Sequence, residues 1–121
     1  MKNNANHTRY EVGEWKNDSI KTFIATVFIA GDYNTSLNCI RDYCFPSGAC
    51  FSIRETTYIY AGGAESGIEV TLFQYPPFPD EEKYLLDKCI EVGTLLAEKN
   101  FQWSFSIVCN DKTHFFSRRR G

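Results

Sequence analysis

No stretch of the 121-residue chain approaches the roughly 20 consecutive apolar residues that a membrane-spanning helix needs. The start, MKNNANHTRYEVGEW, lacks the apolar core of a secretory signal, so the expectation is a cytosolic protein with no membrane partner. Histidine is scarce, at two residues, and neither His7 nor His114 sits in a catalytic motif. There is no Walker-type loop, no G-x-G-x-x-G, no H-E-x-x-H and no internal repeat. Five cysteines, Cys39, Cys44, Cys50, Cys89 and Cys109, form no C-x-x-C pair; this fits reduced, mostly buried thiols better than a disulfide frame or a zinc site. The expectation is no metal and no cofactor.

A charge excess is missing too, with 13 basic against 15 acidic side chains, but the balance conceals a segregation. Residues 55–98 carry 2 basic and 9 acidic groups, whereas 99–121 carry 5 and 1. The acidic middle opposes binding to DNA, which requires many phosphates to be neutralised together. A concentrated site for one small anion at the C-terminal end remains compatible with it. With 43% hydrophobic and 16% aromatic residues, the chain has enough apolar mass for one compact domain.

Periodicity gives the expected elements. Residues 1–18 read as a polar, irregular arm apart from Tyr10, Val12 and Trp15, and 19–121 as a single ligand-binding domain. IKTFIATVFIA at 20–30 predicts a central strand. Gly31-Asp32 breaks it, Asn34, Thr35 or Ser36 caps a short helix, and that helix ends before Pro46-Ser47-Gly48. Strands follow at 49–60 and 67–75, separated by the glycine-rich 62–67 stretch. Asp80 caps a long helix reaching about Lys99, with Leu85, Cys89, Val92 and Leu96 as its apolar stripe. FQWSFSIV and HFFS supply two last strands around Asn110–Thr113. The order β-α-β-β-α-β-β predicts an α+β domain with two helices on a mainly antiparallel sheet.

Several features suit ligand capture, each with a plainer alternative. Gly62-Gly63 permits close backbone approach, or is an ordinary hairpin turn. Gly31-Asp32 offers backbone N–H groups to an anion, or is a capped turn. Tyr75 and Phe78 in the Pro-rich 75–79 run present a stacking surface, or staple helix to sheet. Arg118, Arg119 and Arg120 follow Phe115-Phe116, where a guanidinium can grip a phosphate or stack on a base, or are a solubilising tail.

Taken in order, Phe28-Ile29-Ala30-Gly31-Asp32, Tyr58-Ile59-Tyr60-Ala61-Gly62-Gly63, Gly67-Ile68-Glu69-Val70, Tyr75-Pro76-Pro77-Phe78-Pro79 and Phe116-Ser117-Arg118-Arg119 resemble the phage-encoded anti-Thoeris sponge proteins. The resemblance spans about residues 20–120. It implies a non-enzymatic viral protein that sequesters a cyclic ADP-ribose isomer, the signal made by bacterial TIR-domain defence proteins. It also implies a homo-oligomer built from dimers with ligand near subunit interfaces, some members taking cyclic oligonucleotides at a separate site. On that reading Arg118–Arg120 and Gly31-Asp32 meet the phosphates, and Phe78, Tyr75 or Phe116 meets the base. The alternatives are a small nucleotide-processing enzyme using His114 with a cysteine or carboxylate, and an oligomerising interaction module.

Overall fold

The computed structural model describes the backbone of residues 8–77 and 79–119, and side chains from Gly13 onward within that span. A two-stranded hairpin, β1 (Thr8–Val12) and β2 (Trp15–Ser19), comes first, so the segment read as irregular is paired from residue 8. The body follows as β3 (Ile24–Ala30), α1 (Tyr33–Ser47), β4 (Ser52–Tyr60), β5 (Gly63–Phe73), α2 (Glu82–Lys99), β6 (Ser104–Val108) and β7 (Thr113–Ser117). Its sheet has the order β4-β5-β3-β6-β7, and every pairing is antiparallel. The predicted α+β class and body element order are therefore observed.

Strand alternation decides which face carries the core. Ala25, Val27 and Ile29 of β3 and Ile68, Val70 and Leu72 of β5 are buried under the helices, together with Phe105 and Ile107 of β6. α2 presents the expected stripe of Leu85, Cys89, Val92 and Leu96 to this layer. It passes so close to β6 that a Cβ on Gly93 would collide with the Phe105 ring. The two helices are also tied to each other, the Tyr43 hydroxyl donating to the Glu91 carboxylate at 2.6 Å. All of this lies on one side of the sheet.

Element boundaries depart from expectation for local reasons. The α1 N-cap is Asp32, whose carboxylate accepts from Thr35 N–H at 2.8 Å, and not Asn34, Thr35 or Ser36. The helix continues through Pro46 because a proline in the last turn forfeits only one terminal bond; Gly48, at φ 72°, then closes it with its N–H on the Cys44 carbonyl. The β4–β5 hairpin turns at Ala61-Gly62, with Gly62 at φ 89°, so pairing runs through residues expected to be loop. α2 is capped by Glu81, and the Asp80 carboxylate accepts from Glu81 N–H at 3.0 Å.

α2 ends in a Schellman-type turn, with the Gln102 N–H reaching the Ala97 carbonyl at 2.8 Å. The left-handed position is held by Phe101, at φ 56°, where glycine is the usual occupant. Its ring is 87% exposed and contributes little burial to offset that backbone cost. Phe101→Gly is expected to stabilise the fold by about 1 kcal/mol in urea unfolding, whereas a loss of stability would show that the exposed ring has a structural partner.

Candidate functional site

Among the described residues no helix covers the sheet face opposite α1 and α2, and cross-strand register defines what stands on it. Arg54 of β4 lies opposite Glu69 of β5, Glu69 opposite Phe28 of β3, Phe28 opposite Ser106 of β6, and Ser106 opposite Phe115 of β7. A second row joins Ser52, Thr71, Thr26, Val108 and Thr113, with the Thr26 and Thr71 hydroxyls 3.0 Å apart. One carboxylate thus sits in the middle of the sheet between an aromatic ring and a guanidinium. Its side chain is 24% exposed, and Arg54 approaches to 3.6 Å.

Tyr58 flanks this carboxylate. Its ring lies where a side chain at Gly67 would be, so Gly67 is required by close packing, not by a turn. The hydroxyl donates to the Ile68 carbonyl at 2.9 Å. Burial, followed by the negative charge of Glu69, pushes its pKa up to about 12, with a backbone hydrogen bond at Ile29 opposing and Glu65 adding to the rise. At neutral pH Tyr58 is therefore a fixed neutral dipole. Its oxygen retains acceptor capacity toward a ligand.

The residues selected from sequence are dispersed. The Gly31-Asp32 junction is bonded internally: Gly31 N–H donates to the Ser66 carbonyl at 3.0 Å and Asp32 N–H to Asn100 Oδ1 at 2.9 Å. Asn100 also donates to the Ser36 hydroxyl, so the strand-to-helix junction is locked to the end of α2. Gly62 and Gly63 lie at an exposed hairpin tip. Tyr75 borders a cavity of about 510 Å³ between the end of α1 and the start of α2, and buried Gln74 clamps the following loop through two bonds to the Asp80 backbone. Phe78 and Arg120 lie outside the described residues. Phe116 and Arg118 are brought together at the far edge of the sheet on the helix side, while Arg119 is exposed, with its backbone N–H on the Ser117 hydroxyl.

Among the described residues no cysteine–histidine nucleophile and base pair assembles. Burial raises the thiol pKa of Cys39, Cys44, Cys89 and Cys109, that of Cys89 to about 12; Cys89 is buried, Cys39, Cys44 and Cys109 are half-buried and Cys50 is exposed, so the thiols are less buried than expected. His114 stacks near Phe116, centroids 6.3 Å apart. His7 lies outside the described residues.

No protein-family model matches the sequence. No curated protein matches it either. Two solved structures share the fold. One is a phage SAM lyase in its apo state, with a TM-score of 0.57 at 11% identity over 82% of this chain and 91% of that one. The other is a phage SAM lyase in complex with S-methyl-5'-thioadenosine, with a TM-score of 0.55 at 14% identity over 79% and 89%. At these identities the likeness establishes the shared α+β fold.

It leaves one expectation standing only in its coarser form, a phage protein fold, and corrects another. Both neighbours are phage proteins but neither is an anti-Thoeris sponge, so the family narrows no further than this fold. The expectation of a non-enzyme is overturned, because the matched fold is that of a lyase, a catalyst.

The titration of Tyr58 is directly testable. Its folded pKa lies above the ordinary tyrosine value of 10, so its stabilisation is complete below about pH 10 and lost as pH climbs through about 12. Tyr58→Phe is expected to flatten the alkaline loss of stability over that window in denaturant titrations. An unchanged alkaline slope would place the Tyr58 hydroxyl in a solvent-like setting.

Proposed function

We propose that the chain binds an adenosine-containing sulfonium on its open sheet face and cleaves it as a lyase, with S-adenosylmethionine as the substrate. The observation carrying this reading is the placement of Glu69 between Phe28 and Arg54, beside a Tyr58 held in its neutral form. A partly desolvated carboxylate and ring faces are complementary to a compact organic cation. Fold similarity to a SAM lyase, and to one holding S-methyl-5'-thioadenosine, supports the same ligand class.

The chemistry needs no cysteine or histidine nucleophile, and none stands at this site among the described residues. As the substrate's own carboxylate oxygen bonds to the γ-carbon of its amino-acid chain and closes a lactone, the bond from that carbon to the sulfonium sulfur breaks and its electron pair goes to sulfur. S-methyl-5'-thioadenosine leaves as a neutral thioether and needs no general acid. Glu69 holds the cationic substrate, Tyr58 accepts from its ammonium group, and the ring of Phe28 excludes water from the reacting carbon.

A cyclic ADP-ribose isomer, the ligand implied by the sequence resemblance, shares the adenosine but brings a pyrophosphate. Among the described strand residues of this face, Glu65 and Glu69 stand against one cation, Arg54, a balance that favours the sulfonium. Exposed Ile24, Phe73, Val108 and Phe115 surround the site on the same face. They fit a homo-oligomer in which a second copy covers the sheet and closes the site. In a phage-encoded protein acting in the host cytosol, consuming the methyl donor would serve counter-defence by denying it to host methyl-transfer enzymes.

The test is incubation of the purified protein with S-adenosylmethionine and, separately, with a cyclic ADP-ribose isomer, with products read by mass spectrometry. S-methyl-5'-thioadenosine is expected to accumulate over many turnovers. Glu69→Gln is expected to reduce kcat/KM by about 100-fold or more with an unchanged circular-dichroism spectrum. Intact S-adenosylmethionine after prolonged incubation would overturn the reading.

A further inference from the structure

β7 lies past the cover of the helices: α2 packs on β3, β5 and β6, whereas the strand contact of β7 is with β6. On the helix side this leaves a cavity of about 230 Å³. Its floor is the stacked pair Phe105 and Phe116, ring centroids 4.9 Å apart. Thr94 and Ala97 of α2 form one wall, and their small side chains keep the space open. The opposite wall is Trp103 with Arg118, whose guanidinium lies 5.5 Å from the indole centroid. This cavity is on the other side of the sheet from Glu69.

Arg118 is held in place without being neutralised. Its backbone N–H donates to the Trp103 carbonyl at 2.8 Å and its guanidinium to the Gln102 carbonyl. No carboxylate among the described residues pairs with it. A guanidinium has five N–H donors, so the bond to Gln102 leaves most of its donor capacity for a ligand. The cavity therefore combines an aromatic floor with an oriented, uncompensated cation. Its volume lies below the usual range for drug-sized ligands, which restricts it to one ring system with its substituent.

We propose that this cavity is a second ligand site, distinct from the open sheet face, that takes a small planar aromatic ring bearing an anionic group, phosphate or carboxylate. The ring lies on Phe116 and the acid group meets Arg118. Strand pairing turns Phe116 inward and, one residue past Ser117, places Arg118 at the rim.

Trp103 lines the cavity and the other tryptophan is Trp15, so a Trp15→Phe background leaves one reporter. Phenyl phosphate and phenylacetate are titrated against its emission, with inorganic phosphate and phenol as controls. At least one of the aromatic anions is expected to give a saturable change, at least about tenfold tighter than either control, and which one does so identifies the acid group. Arg118→Ala, and separately Thr94→Phe, which fills the cavity from an exposed helix position, are each expected to weaken binding by at least about tenfold. Thr94→Phe should leave cleavage of S-adenosylmethionine unchanged, which separates this site from the proposed active face. No saturable change with either aromatic anion would overturn the proposal. So would affinity unchanged from the Trp15→Phe parent in both variants, or a Trp103 signal that changes with protein concentration alone.

Discussion

Two helices cover one face of a five-stranded sheet, and that one-sidedness sets the conditions for everything else. Side chains alternate along a strand, so committing Val27, Ile29, Ile68 and Val70 to the core forces Phe28 and Glu69 onto the bare side. A one-residue slip in β3–β5 pairing would exchange the two sets and bury the carboxylate. The register that makes the core is thus the register that builds the candidate site. The Gly67 position shows the same coupling, because Tyr58 can lie flat beside Glu69 only where no Cβ intervenes.

The segregation of charge acquires spatial meaning in this arrangement. Part of the acidic middle segment stands on the open face as Glu65 and Glu69. The basic end reaches the opposite side of the sheet, where Arg118 rests on Trp103. Near-neutral composition thus resolves into one face suited to a cation and one cavity suited to an anion. The strand-to-helix junction, chemically a natural anion cradle, is instead used for folding, since Asn100 and Ser66 accept its N–H groups.

The fold was largely legible in the sequence because its signals are local. The stripe on α2, the caps and glycines, and the apolar alternation of 24–30 and 104–108 each report on their own segment. Boundaries shifted where a side chain acts from outside the segment or at its end, as with Asp32 capping α1 and Glu81 displacing Asp80. The site was less legible. Arg118 and Phe116 were found by composition, and the structure joins them in one cavity. Glu69 and Tyr58 occur in the sequence only inside motifs, and nothing local distinguishes them from ordinary strand residues. Their proximity depends on the register of the β4–β5 hairpin. The expectation of a non-enzyme rested on a search for nucleophile and base pairs, and the lyase fold of the structural neighbours corrects it.

The central claim is that the uncovered sheet face, not the helix side, receives the adenosine-containing ligand. Amide chemical-shift mapping during titration with S-methyl-5'-thioadenosine addresses it directly. The account predicts saturable shifts concentrated at Phe28, Thr56, Gly67 and Glu69. Shifts confined to α1, α2 and the loop at 74–80, with the open face silent, would contradict it.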